Sequence, residues 1–69
     1  MEGDRVVVIE DVVTTGGSSA MAIRALREMG GQVERVLAIV DREEGGKQNL
    51  SKEGCRLESI FSIRELLDA

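Results

Sequence analysis

The sequence lacks several residue types on which small proteins often depend. Histidine is absent and Cys55 is the only cysteine, so the chain can form neither an internal disulfide nor a zinc site made of cysteine and histidine. Phe61 is the only aromatic residue, which leaves Val, Ile, Leu, Ala and Met to build the core. A lone cysteine with no base to activate it is expected to be a small buried residue, and a reduced cytoplasmic compartment fits best.

Long hydrophobic runs and an excess of positive charge are missing as well. No apolar run approaches the roughly 20 residues that span a bilayer, and the first residues form no signal peptide, so we expect no membrane association. The net charge of −4 argues against a nucleic acid partner, because no basic stripe exists to displace counterions. A small phosphorylated ligand remains open, since backbone N–H groups can hold phosphate without cationic side chains.

Patterns of strand and helix alternate along what we expect to be a single domain, residues 1–69. Apolar runs predict strands over 5–9, 32–40 and 56–61, the first buried on both faces. Helical spacing, glycine stops and a Ser62/Glu65 capping box predict helices over 19–29, over 47–53 and from residue 62 onward. This order implies an α/β fold, a three-layer parallel-sheet segment with right-handed crossovers.

The first predicted helix has two specific features. Ser18 or Ser19 is expected to be its N-cap. The methionines Met21 and Met29 share its apolar spacing and are expected to lie in the core.

Two polar turns follow the first two predicted strands. One comprises residues 10–18 and the other residues 41–46. Because ligands of parallel sheets bind at the carboxyl ends of the strands, both turns are expected to share the ligand-binding edge.

The first turn combines two kinds of group. Glu10 and Asp11 are adjacent carboxylates that could accept hydrogen bonds from sugar hydroxyls. Two threonines, two glycines and two serines then lead into a helix, whose first N–H groups attract phosphate. The P-loop and dinucleotide-binding patterns are both absent. The turn therefore predicts a site for a phosphorylated sugar.

Residues 6–18 resemble the motif by which type I phosphoribosyltransferases bind 5-phosphoribosyl-1-diphosphate (PRPP). The motif consists of four apolar residues, two acids, two apolar residues and then Thr-Thr-Gly-Gly-Ser. The Asp-Arg-Glu-Glu-Gly-Gly turn of residues 41–46 resembles the corresponding turn of orotate phosphoribosyltransferases. The similarity continues more loosely to Leu67.

This resemblance implies a role for each matching residue. Glu10 and Asp11 would be catalytic, binding the ribose hydroxyls and stabilising charge on the ribose, while Thr14 and Arg42 would contact orotate. The reaction would transfer 5-phosphoribose from PRPP to orotate, giving orotidine 5′-monophosphate and diphosphate. Mg²⁺ would be the cofactor, held by the diphosphate rather than by a protein metal site. The PRPP-binding residues would be Glu10, Asp11, Val12, Val13, Thr14, Thr15, Gly16, Gly17 and Ser18.

Members of this family are longer and carry a diphosphate-binding loop and a catalytic lid ahead of the motif. The chain is therefore expected to correspond to their C-terminal part and to be inactive in isolation. An unpaired strand edge and an uncovered apolar face are also expected, and with them a homodimer or other self-association.

Other interpretations are compatible with parts of the pattern. The chain could be a PRPP-sensing module without catalysis, or a type I phosphoribosyltransferase for another base. A receiver-like signalling domain also places paired acids after its first strand, but it has no use for the glycine-rich loop. Taken alone, residues 10–19 could be a solvated turn, and Arg42 could be a surface residue paired with Glu43 or Glu44.

Overall fold

Three strands and three helices alternate along the chain, as the sequence predicts. The computed structural model describes residues 3–68. Its elements are β1 (Arg5–Val13), α1 (Gly17–Glu28), β2 (Gln32–Asp41), α2 (Gly46–Lys52), β3 (Arg56–Ser62) and α3 (Ile63–Asp68). The predicted α/β class is therefore confirmed. Within residues 3–68, no helix has the length and apolar character that a membrane span requires.

The sheet is parallel throughout, with the strand order β1-β2-β3. Both crossovers step in the same direction, so right-handed connections place α1 and α2 on the same face. The two helices contact each other, α1 packs on β1 and β2, and α2 packs on β3. The carboxyl ends of β1 and β2 meet at one edge, where Val13 pairs with Asp41.

The core lies between this pair of helices and the sheet. Ile23 of α1 and Leu50 of α2 are both fully buried, and burying each contributes roughly 1.5–3 kcal/mol. The cluster comprises Val8, Val13, Ile23, Val33, Val36, Ala38, Leu50, Cys55 and Leu57. Cys55 is thus a buried core residue, as predicted.

The opposite face of the sheet, which we call the open face, is apolar and exposed. It carries Val7, Ile9, Ile39 and Ile60, of which Ile9 is 75% exposed. The prediction that the first strand is buried on both faces is therefore wrong for this chain, while the predicted uncovered apolar face is confirmed. Of the three predicted layers, residues 3–68 supply the sheet and the helices on one side.

The first strand and the first helix differ from their predicted bounds. β1 continues to Val13 because β2 extends beside it, so Glu10 lies within a paired strand and not after it. α1 begins at Gly17 with Gly16 as N-cap and no capping side chain. The prediction of Ser18 or Ser19 as N-cap is wrong, because a residue inside the first helical turn cannot occupy the cap position.

The buried side of α1 also differs from the prediction. Met21 and Met29 are 72% and 62% exposed, so their expected place in the core is wrong. Ser19 and Ile23 are the buried residues of this helix. They are four positions apart and so share the stripe that faces the sheet.

Two arginines of α1 join it to the chain around α2 and β2. Arg24 makes a two-pronged ion pair with Glu53 at 2.8 and 3.0 Å, and this hydrogen bonding lowers the pKa of the Glu53 carboxyl. Arg27 donates to the carbonyls of Glu53 at 2.6 Å and Val33 at 2.7 Å.

Burial raises the pKa of the Cys55 thiol, which lies beside Arg27. This shift agrees with the place of Cys55 in the core.

The third helix begins as the capping box predicts. The Glu65 backbone N–H donates to the Ser62 hydroxyl at 3.2 Å, which satisfies one of the open amide groups of the first turn.

Candidate functional site

A cavity of about 290 Å³ lies where β1 passes into α1. Its lining consists of Glu10, Asp11, Val12, Thr14, Thr15, Gly16, Gly17, Ser18 and Ser19. Every residue predicted to bind PRPP is therefore brought to one place except for the side chain of Val13. Val13 is only 2% exposed and packs in the core, so its backbone alone could face a ligand.

The end of the cavity next to the start of α1 is suited to binding an anion. Gly16 has φ +85°, a conformation that residues with a Cβ rarely adopt. Because this N-cap residue is a glycine, no side chain caps the first amides of α1. Amides in the first helical turn have no partner inside the helix and share the positive end of its dipole. No acidic residue occupies this first turn.

The acidic end of the cavity consists of two differently held carboxylates. Glu10 Oε1 accepts a 3.2 Å hydrogen bond from the hydroxyl of Ser19, which is 2% exposed. Asp11 is exposed, and its Oδ1 accepts a 2.8 Å hydrogen bond from the Val12 N–H. Each carboxylate keeps further lone pairs for a ligand. The cavity therefore sets hydrogen-bond acceptors opposite open amide donors.

Ser19 also belongs to the site, because it holds Glu10 in place. The sequence did not indicate this role. Ser19 is buried in the first turn of α1, and its hydroxyl hydrogen-bonds to the Glu10 carboxylate and so orients it. Its only sequence signal is its position four residues before Ile23 on the face that packs against the sheet.

The second polar turn lies against the first, as the shared sheet edge predicts. The Arg42 N–H donates to the Val13 carbonyl at 2.9 Å. Gly46 is so close to the first turn that a Cβ built on it would lie 2.8 Å from the Thr14 carbonyl oxygen. Asn49 Nδ2 donates to the Thr15 carbonyl oxygen at 2.8 Å.

The two residues predicted to contact orotate are placed differently. Thr14 lines the cavity. The Arg42 side chain does not, because its Nε donates to Glu44 Oε2 at 2.9 Å. The sequence analysis gave this surface ion pair as an alternative role for Arg42. A role of Arg42 in orotate binding stays a prediction.

The acidic residues do not form a ready metal centre. Nowhere in residues 3–68 do three histidine, cysteine or carboxylate side chains cluster so as to hold a metal ion. Mg²⁺ usually keeps several waters and takes one or two carboxylates together with phosphate oxygens of a substrate. Glu10 and Asp11 are compatible with that manner of binding, in which the ligand supplies most of the donors.

Comparison with known proteins connects this site to one family. No family model matches the chain. The orotate phosphoribosyltransferase of Aquifex aeolicus is 57% identical over 65 residues, which are 94% of this chain and 36% of that protein. The chain thus spans about a third of the length of the curated relatives it matches.

Solved structures agree with the sequence comparison. The orotate phosphoribosyltransferase of Aeropyrum pernix superposes with a TM-score of 0.93 at 43% identity, over 94% of this chain and 39% of that one. The Mycobacterium tuberculosis enzyme in complex with PRPP gives a TM-score of 0.87 at 38% identity, over 94% and 40% of the two chains. This chain therefore shares its sequence and fold with about a third of the length of the orotate phosphoribosyltransferases, which makes it similar to that part of a type I phosphoribosyltransferase.

Proposed function

We propose that this chain is a PRPP-binding part of an orotate phosphoribosyltransferase. In the proposed reaction, Mg²⁺-dependent transfer of 5-phosphoribose from PRPP to orotate gives orotidine 5′-monophosphate and diphosphate. The observation that carries the proposal is the cavity itself, which sets the open amides of α1 opposite two carboxylates. A relative of similar fold is known in complex with PRPP.

The 5-phosphate would bind at the start of α1. The amides of Gly17 and Ser18 lie in the first turn, and the hydroxyls of Thr14, Thr15 and Ser18 border the same cavity. Together they offer neutral donors and a partial positive charge. A phosphate can be held there although the chain has a net charge of −4.

The ribose would lie over Glu10 and Asp11. Their carboxylates would accept hydrogen bonds from the two ribose hydroxyls, with Ser19 keeping Glu10 in place. As the bond to diphosphate breaks, positive charge develops on the ribose. Fixed carboxylates nearby would stabilise that charge more than they stabilise the ground state.

Mg²⁺ would supply charge neutralisation for the leaving diphosphate. The ion would be held by oxygens of PRPP and by water, while Glu10 and Asp11 would bind the ribose hydroxyls. No dedicated set of protein ligands is required for such an ion.

Orotate would contact Thr14 and Arg42. The Arg42 side chain would first have to leave Glu44, and both partners of that pair are about half exposed. Exposed ion pairs of this kind are worth about 0–1 kcal/mol, so the exchange costs little. The freed guanidinium could then engage the orotate carboxylate with two parallel hydrogen bonds.

Binding without turnover is the second candidate function. None of the residues that line the cavity is basic, and a diphosphate leaving group normally has cationic partners. We therefore propose that residues 1–69 alone, located in the cytoplasm, bind PRPP but do not transfer it. This property also fits a PRPP-sensing module.

Self-association is a further part of the proposal. The open face exposes Ile39 and Ile60 at 50% and 68%, and in the sheet of residues 3–68 both β1 and β3 have an unpaired edge. Exposed apolar faces and free edges favour pairing with another chain. We expect a homodimer or larger assembly.

A titration of the ¹⁵N-labelled chain with PRPP and Mg²⁺ tests the proposed site. Amide signals of residues 14–18 should shift, and ribose 5-phosphate should shift the same signals while ribose should not. Asp11→Asn should weaken binding of ribose 5-phosphate, because the amide is a poorer acceptor for sugar hydroxyls. Unchanged signals at residues 14–18 would contradict the proposal.

A second measurement tests whether the chain alone transfers the phosphoribosyl group. The chain is mixed with PRPP, Mg²⁺ and orotate, and diphosphate release is followed. Release by the chain alone would overturn the proposed lack of turnover. If the chain binds PRPP but releases no diphosphate, the result agrees with a binding part or a sensing module.

A further inference from the structure

We infer that Asn49 is a positioning residue that sets the orientation of the phosphate-binding loop, an inference that rests on the proposed function. Its Nδ2 donates to the Thr15 carbonyl oxygen at 2.8 Å, across 34 positions of sequence. Among residues 3–68, no other side chain from another element hydrogen-bonds to the backbone of loop 14–16. Asn49 therefore links α2 directly to the loop that begins α1.

The direction of this hydrogen bond determines where the next amide points. Thr15, Gly16 and Gly17 form the wall between two grooves. Asn49 lines one groove, and the carboxylates lie in the other. Since no peptide bond in the described chain is cis, the Thr15 carbonyl and the Gly16 N–H point in opposite directions. A carbonyl held toward Asn49 thus leaves the Gly16 N–H on the side of the proposed phosphate site.

Packing against α2 holds the loop, but no other hydrogen bond within residues 3–68 holds the Thr15 carbonyl. Thr14 and Thr15 are exposed, and Gly16 follows them with φ +85°. A glycine permits many backbone conformations, so the peptide between Thr15 and Gly16 could rotate if its carbonyl were released. Rotation would turn a carbonyl oxygen toward a bound phosphate and repel it.

The role of Asn49 can be separated from a general effect on stability. Asn49 is exposed on α2, and asparagine is a weaker helix former than alanine. Asn49→Ala therefore loses one exposed hydrogen bond but gains helix propensity, and its unfolding temperature should stay close to that of the parent chain. Gln48 provides a matched control, because it carries the same amide one residue earlier on an exposed position of α2.

The first readout is affinity for ribose 5-phosphate, measured by NMR titration of the whole chain. Asn49→Ala should bind about five-fold more weakly, the effect of losing one net hydrogen bond. Gln48→Ala should bind as the parent does. An Asn49→Ala affinity equal to that of the parent chain would overturn the inference.

The second readout needs no ligand. Hydrogen exchange and ¹⁵N relaxation of Thr15, Gly16 and Gly17 are compared in the free parent chain and both variants. Asn49→Ala should increase the mobility and the hydrogen exchange of these amides, whereas Gln48→Ala should change neither. Equal mobility and exchange in the two variants would overturn the inference. If the parent chain fails to bind ribose 5-phosphate, the proposed function fails, and the loop amides still decide whether Asn49 orients the loop.

Discussion

Replacing Gly46 by alanine should destabilise the protein through a steric conflict that can be read from the structure. A Cβ at this buried position would lie 2.7 Å from Val13 Cγ1 and 2.8 Å from the Thr14 carbonyl oxygen. Ordinary contacts between carbon atoms are about 3.5–4.0 Å, so Val13 Cγ1 would have to move by roughly 1 Å, and the Thr14 carbonyl oxygen would have to shift as well. One of them is backbone, which cannot turn away as a flexible side chain can.

The expected loss of stability follows from two opposing effects. Overpacking of a filled site typically costs about 1–3 kcal/mol, while alanine in place of glycine in a helix gains up to about 1 kcal/mol. The net loss is about 1–2 kcal/mol. In a domain of this size each kcal/mol lowers the unfolding temperature by about 4–8 °C, so Gly46→Ala should unfold about 5–15 °C below the parent chain.

Thermal unfolding followed by circular dichroism measures this difference, and Gly17→Ala is its control. Gly17 is the first residue of α1, as Gly46 is of α2. A Cβ on Gly17 would meet only Thr15 Oγ1, at the ordinary distance of 3.7 Å. Gly17→Ala should therefore leave the unfolding temperature unchanged or slightly raised. Equal unfolding temperatures for the two variants would refute the steric reasoning.

Three further predictions concern other parts of the molecule. Burial raises the pKa of Cys55, so its contribution to stability is complete below the unfolded pKa and is lost as pH rises through the folded one. The free energy of unfolding should thus fall above about pH 9 more for the parent chain than for Cys55→Ala, and parallel pH profiles would contradict this. The hydrogen bonds from Arg24 lower the pKa of Glu53, so their contribution is present above the unfolded pKa and is lost as pH falls through the folded one. Urea unfolding should show that Glu53→Gln is less stable than the parent at pH 7 and that the difference narrows toward pH 3; a constant difference would show that the charge is unimportant. Ile39→Lys places a charge on the open face and should shift light scattering at high concentration toward the monomer, whereas an unchanged or already monomeric mass would rule out association through this face.

The position of the candidate site could be predicted from local sequence, because its features are local. A β-branched run, two acids and a glycine-rich turn before a helix predict a ligand site at the end of the first strand. The structure confirms that residues 10–12 and 14–18 line one cavity. Their binding roles stay predictions until a ligand is tested.

The features that could not be predicted depend on distant parts of the chain. Glu10 belongs to β1 because Ala38 of β2 pairs with it, which no pattern within the first strand reveals. The wrong assignment of Met21 to the core has a similar origin. Several apolar stripes of α1 are compatible with helical spacing, and only the position of the sheet selects the one that contains Ile23.

The contacts between residues 46–49 and the loop of residues 14–16 determine which parts of this fold can function as separate pieces. A peptide of residues 3–30 would contain each amide and carboxylate assigned to PRPP. It would lack Gly46, which packs against the loop, and Asn49, which hydrogen-bonds to it. Such a peptide should not recognise a sugar phosphate. The smallest unit that can be transplanted into another protein is therefore two successive strand–helix repeats, since the second repeat shapes the site that the first one carries.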